Sequence, residues 1–261
     1  MISQLIATIT YKLDIILFQL KSIILNHYRL KPGSVNLVTK KTMLKAAIFD
    51  MDGVIIDSEP LHYKAYHAMF DDVGIEVSAE LYDSLTGKST INVCKQLKDH
   101  FDLSQSPEEL ASIKRQHYDV IFNEDKDFDL ISGVRKLIEN YYENGLTLVL
   151  GSSATMASIE RIFDRFDLHK YFKDKISGAE LKASKPHPEI FIKAAELTGY
   201  TPDECIVIED ATNGIEAAKG AGIFCVGFDS FHSKNQDYSK ADLVIKDFSE
   251  IHFQSIKQRF E

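Results

Sequence analysis

The chain reads differently before and after about residue 43. From there on, short apolar runs alternate with longer stretches of helical periodicity. The runs are KAAIF (45–49), LTLVL (146–150), CIVIE (205–209), IFCVGF (223–228) and ADLVI (241–245), with a shorter candidate, KIS, at 175–177. Apolar runs without polar alternation predict strands buried on both faces, as in parallel sheets. Between them, GVRKLIENYYENG (133–145), TMASIERIFDRF (155–166), PEIFIKAAELTG (188–199) and ATNGIEAAKGAG (211–222) repeat their apolar residues at helical spacing. In the second of these, Met156, Ile159, Ile162, Phe163 and Phe166 are expected to face inward. Strands alternating with helices predict an α/β fold, a mostly parallel sheet with helices on both faces.

One stretch breaks the alternation. Residues 58–130 carry no strand signal, only amphipathic segments near 60–73, 90–101 and 107–122. Ser58-Glu59-Pro60 is a good helix start, because proline suits the first turn. A helical domain over 58–130 is therefore expected to interrupt a core made of 44–57 and 131–261.

The first 43 residues have another character. LIATITYKLDIILFQLKSIILNHY (5–28) is apolar, but Lys12, Asp14 and Lys21 interrupt it below the length of a membrane span. It lacks the charged start and small-residue cleavage site of a secretory signal. Ile15, Ile16, Leu20, Ile23 and Ile24 recur at helical spacing, and KPGS (32–35) breaks the pattern. Residues 1–43 are expected to be an extension outside the fold, with an over-extended gene start at Met43 as one cause. A helix packed on the domain or on a partner, and membrane contact or targeting, are the competing readings.

Composition narrows the function classes. Apolar and charged fractions of 44% and 26% are those of an ordinary globular chain. A formal net charge of -9 argues against sequence-independent nucleic-acid binding. It also requires any anionic substrate to meet a locally positive site. Three cysteines, Cys94, Cys205 and Cys225, show no metal-ligand spacing. They read as reduced thiols in a cytoplasmic protein.

In open parallel sheets, ligands bind beyond the carboxyl ends of the strands. Asp50 and Asp52 follow the first run, Gly151, Ser152 and Ser153 the second, and Glu209 and Asp210 come after CIVI of the third. Lys185 precedes a proline-bounded helix start between the last two. Taken singly, the aspartates read as turn residues, the serines as helix caps and the lysine as a solvated surface residue. Together they place acidic groups, hydroxyls and one lysine on a single sheet edge. That combination suits a divalent cation and an anion. Asp50 and Asp210, with Glu209 beside them, offer the oxygen ligands that Mg²⁺ takes. Ser152, Ser153 and Lys185 can hold phosphate oxygens, Asp50 can attack as a carboxylate nucleophile, and Asp52 can move the proton.

These residues resemble the motifs of the haloacid dehalogenase-like hydrolases. DMDGV is similar to the first motif, the serine of LVLGS to the second, the lysine of SKPHP to the third and IEDATNGIEAA to the fourth. The resemblance covers about residues 44–247 and implies a Rossmann-like core, Mg²⁺ and an aspartyl nucleophile. By match, Asp50 is nucleophile and metal ligand, and Asp52 is the acid/base that also offers its backbone carbonyl to the metal. Ser152 and Lys185 hold the phosphate, and Asp210 with Glu209 completes the metal site. True dehalogenases of the family lack the second aspartate, so Asp52 points to phosphate chemistry. The helical stretch then corresponds to a cap domain. DGVIIDSEPLHYKAY and LTGKSTINV resemble the subgroup holding beta-phosphoglucomutase and small sugar-phosphate phosphatases. Gly87 and Lys88 are the cap residues expected near substrate, and His62 is expected near the hinge. In the mutases a lysine before this glycine and an arginine three residues after it grip a second phosphate. Here those positions are Thr86 and Thr90. The expected activity is a Mg²⁺-dependent phosphatase of a small phosphorylated metabolite, monomeric or weakly dimeric, with a phosphoglucomutase-type isomerase as the alternative. A non-catalytic binding protein on the same fold is the third reading.

Overall fold

The structure, a computed structural model, describes residues 42–85, 89–231, 233 and 235–261. Among the described residues, six strands form one parallel sheet: β1 (Ala46–Phe49), β2 (Thr147–Ser152), β3 (Phe172–Ser177), β4 (Cys205–Glu209), β5 (Phe224–Phe228) and β6 (Leu243–Ile245). Their order is β3-β2-β1-β4-β5-β6. The chain thus begins in the middle of the sheet and winds outward in both directions. Phe49 pairs in register with Leu150 and Ile208, so β1, β2 and β4 end side by side.

Alternate side chains of the central strands serve two apolar clusters, as the period of two requires. Ala47 and Phe49 pack with Leu148, Leu150, Ile206 and Ile208 under α5 (Val134–Glu143) and α6 (Met156–Arg165). Ala46 and Ile48 pack with Val149 and Val207 under α7 (Glu189–Thr198) and α8 (Thr212–Gly220). Ile159, Ile162, Phe163 and Phe166 of the α6 segment are buried as expected, and Met156 packs against the same cluster. A short helix, α9 (Phe253–Ile256), follows the sheet beside buried Phe248 and Ile251.

Among the described residues between β1 and α5 lie four helices: α1 (Glu59–Val73), α2 (Ala79–Leu85), α3 (Thr90–Phe101) and α4 (Pro107–Glu124). They have an apolar cluster of their own, including Met69, Phe70, Leu97 and Leu110. A capping box starts α4: Ser106 accepts from the Glu109 amide, and the Glu109 carboxylate accepts from the Ser106 amide. Two chain crossings join this insert to the sheet. They touch each other where the Ile131 amide donates to the Ile55 carbonyl at 2.9 Å.

Candidate active site

Asp50 follows the last residue of β1, and its amide still donates to the Ile208 carbonyl of β4 at 3.0 Å. The carboxylate is therefore set by the sheet. Lys185 reaches it at 2.6 Å from Oδ1 and binds Glu209 Oε1 at 2.7 Å. Asp50, Glu209 and Asp210 each bring a carboxylate oxygen within 4.8 Å of the others. All three carboxylates are buried or nearly so. Burial pushes Asp50 well above the usual carboxylate range; Lys185 opposes this, and Glu209 and Asp210 reinforce it. Burial and Glu209 likewise push Asp210 up to about 7, although Ser233 donates to its Oδ2. Burial also works against the charge of Lys185, but Asp50 and Glu209 outweigh it and hold the lysine above its ordinary range.

Two glycines make room for these carboxylates. Gly53 has φ +80°, and a Cβ there would overlap the Asp210 carboxylate. A Cβ at Gly214 would overlap that of Glu209. Three converging carboxylates against one lysine leave negative charge in excess in a buried all-oxygen site. That donor set fits a hard divalent cation. Both Glu209 oxygens are engaged, by Lys185 and by the Ala211 amide at 2.8 Å. Asp50 and Asp210 are thus the more direct donors, and Glu209 holds Lys185 beside Asp50.

Asp52 stands apart from this group, facing a cleft of about 400 Å³ between the insert and the core. Ser58 donates to its Oδ1 at 2.5 Å. The Ser58 hydroxyl makes no cap bond to the helix it precedes. It is committed to Asp52 instead. The surrounding protein raises the Asp52 pKa by desolvation, opposed by the Ser58 bond, even though the residue is open to the cleft.

Ser152 ends β2 fully buried, its Oγ accepting from the Ala154 amide at 3.1 Å. The next residue, Ser153, is exposed. Neither has a described bond to the carboxylate group. His62 lines the same cleft as Asp52, half-buried, with Nδ1 2.6 Å from Lys114 Nζ. Gly87 and Lys88 lie outside the described residues.

Lys114, Arg115 and Arg161 also line this cleft, and sequence reasoning missed all three. Lys114 is buried against the Tyr66 and Tyr118 rings, 5.0 Å and 4.8 Å from their centroids. Its signal was present: a lone lysine on the inward stripe Leu110, Lys114, Tyr118 and Phe122 of α4. Arg161 comes from the core helix α6 and meets α4 only through the fold. Among the described residues no helix is long and apolar enough to cross a membrane.

Several known proteins resemble this chain in sequence and fold. A phosphorylated carbohydrates phosphatase of Thermotoga maritima is 31% identical over 69% of this chain and 82% of its own length. Hexitol phosphatase B of Escherichia coli K12 is 30% identical over 79% of this chain and 93% of its own. The crystal structure of beta-phosphoglucomutase from Clostridium difficile superposes with a TM-score of 0.67 at 27% identity, covering 84% of this chain and 97% of that one. The family model described as haloacid dehalogenase-like hydrolase matches residues 47–228, the stretch that runs from β1 through β5. The chain belongs to the haloacid dehalogenase-like hydrolases and is a hydrolase.

Proposed function

We propose that the chain is a Mg²⁺-dependent phosphatase of small phosphomonoesters, sugar-like or nucleoside-like, working through an aspartyl-phosphate. The observation that carries this reading is one buried carboxylate, Asp50, bonded to Lys185 beside Glu209 and Asp210, with Asp52 two residues on at a cleft.

An Asp50 carboxylate oxygen attacks phosphorus, and the bond from phosphorus to the leaving oxygen breaks. Asp52 donates its proton to that oxygen; its raised pKa suits an acid. Asp52 then takes a proton from water as the water oxygen attacks the aspartyl-phosphate, freeing Asp50 and inorganic phosphate. Lys185 and Ser152, with Ser153 beside it, hold the non-bridging oxygens. A Mg²⁺ held by Asp50 and Asp210, with Glu209 and the Asp52 backbone carbonyl beside them, would neutralise charge on the phosphate.

Residues 58–130 act as a cap over a core of 44–57 and 131–261, and their separate apolar cluster supports that role. Closure excludes water and selects the leaving group. His62, Gly87 and Lys88 belong to this cap-side recognition. The named substrates of the phosphatase relatives support phosphorylated sugars or sugar alcohols as the substrate class. A mutase reading draws on the beta-phosphoglucomutase of Bacillus subtilis, 27% identical over 84% of this chain.

Phosphate release from a panel of sugar, hexitol and nucleoside phosphates with Mg²⁺ tests the proposal. Turnover of at least one ester is expected, lost with EDTA and restored by added Mg²⁺. Conversion of beta-glucose 1-phosphate to glucose 6-phosphate without free phosphate would establish the mutase instead. No release from any ester would leave the fold as a binding protein.

A further inference from the structure

The last turn of α4 contains no basic residue to answer its terminal carbonyls. Arg165, at the end of the core helix α6, supplies the donors from outside. Its Nη1 donates to the Phe122 carbonyl, and its Nη2 donates to those of Asp125 at 2.5 Å and Phe128 at 3.1 Å. The guanidinium also lies over the Phe122 and Phe128 rings, 5.1 Å from each centroid. One turn earlier, Arg161 stacks 4.3 Å over Phe122 and pairs with Asp119 of α4 at 2.5 Å. Two arginines of one core helix thus grip the end of α4 and the linker that returns to the core. On the other side of that linker, Lys64 of α1 pairs with Asp125 at 2.5 Å.

The position of this grip gives it a consequence for the site. Helix α6 starts just after the Ser152 loop, with Thr155 as its N-cap. Thr155 and Ser158 form one wall of the cleft, and Lys114 and Tyr118 of α4 form the other. Three directed bonds to main-chain carbonyls fix a backbone more firmly than one exposed ion pair would. We propose that Arg165 is a positioning residue. It pins residues 122–128 to the core as the pivot of the insert, so α4 meets the leaving group at a set distance from Asp52. This proposal rests on the phosphatase reading of the site. Its effect should appear in substrates whose leaving group spans the cleft and be absent from those with a very small one.

The test compares wild type, Arg165→Met and Arg165→Lys on two substrates: the ester turned over fastest in the panel, and acetyl phosphate, an acyl phosphate with a very small leaving group. Arg165→Met is expected to raise KM and lower kcat for the panel ester, by about tenfold in kcat/KM or more. Acetyl phosphate hydrolysis is expected to stay within about twofold of wild type. Arg165→Lys, which keeps the charge but loses the fork, should fall between them. Amide hydrogen exchange should quicken across 122–130 and stay unchanged in β1 and β4. A parallel loss on both substrates, or unchanged kinetics on both, would overturn the proposal. If wild type hydrolyses no ester of the panel and no acetyl phosphate, the phosphatase reading falls. Exchange then decides the pivot alone, local quickening supporting it and uniform or unchanged exchange refuting it. Should the methionine variant fail to fold, the lysine variant bears the same two readings.

Discussion

Asp50 is held where a carboxylate is least at ease, buried, with two others close by and one lysine for relief. Removing the charge while keeping the shape should therefore spare the fold and stop the chemistry. Asp50→Asn is expected to lower turnover at least about a thousandfold, with an unchanged circular dichroism spectrum. More than about a hundredth of wild-type turnover would refute Asp50 as nucleophile. His62 allows a different test, because its pKa is pulled down to about 4, first by burial and then by the charge of Lys114. In the unfolded chain it returns to about 6.5. Between those values the unfolded chain binds the extra proton, so this group makes stability fall as pH drops from about 6.5 to 4. His62→Gln can still accept from Lys114 but does not titrate. Its melting temperature should fall less between pH 7 and 5 than that of wild type, and an equal fall in both would discount His62. Much of this was readable early: Asp50 and Asp210 follow strand ends, Glu209 closes one, and Lys185 precedes a helix start. Ser58 was readable only as a helix start, since its bond to Asp52 depends on how the chain turns back after β1.

At the scale of elements, legibility followed burial. Strands β1, β2, β4 and β5 are apolar on both faces, and the sequence runs mark them to within one or two residues. β3 lies at the sheet edge, and its Lys173 and Asp174 are exposed. Only KIS was therefore visible of Phe172–Ser177. Helix α2 left no readable period because its seven residues bury only Tyr82 and Leu85. The rule that ligands gather at strand ends found the acidic edge of the site but not its other wall. That wall is made where α4 meets α6, far apart in the chain, and depends on packing that no local pattern encodes. Arg161 and Arg165 fall outside the inward stripe of α6, so helical period alone assigns them no contact. They are instead what ties that helix to the insert.

For the whole molecule, the question is where the folding unit starts. Both faces of the sheet are filled by helices within residues 134–220, and the two resulting clusters bury every apolar side chain of β1, β2 and β4. At its beginning, the Lys45 amide donates to the Glu204 carbonyl and Leu44 is buried, whereas Met43 is exposed. The family match begins at Ala47. On these observations we propose that the cooperative unit starts at residues 43–45. A shortened chain beginning at Met43 should unfold within about 2 °C of the full chain, a difference below about 1 kcal/mol at this size. It should also keep its kcat and KM on the same ester. A melting temperature lower by more than about 5 °C, or aggregation of the shortened chain, would mean that the first 42 residues stabilise the domain. A lost activity at unchanged melting temperature would place them in recognition instead. Calorimetry and the phosphate-release assay, run on both chains, separate these outcomes.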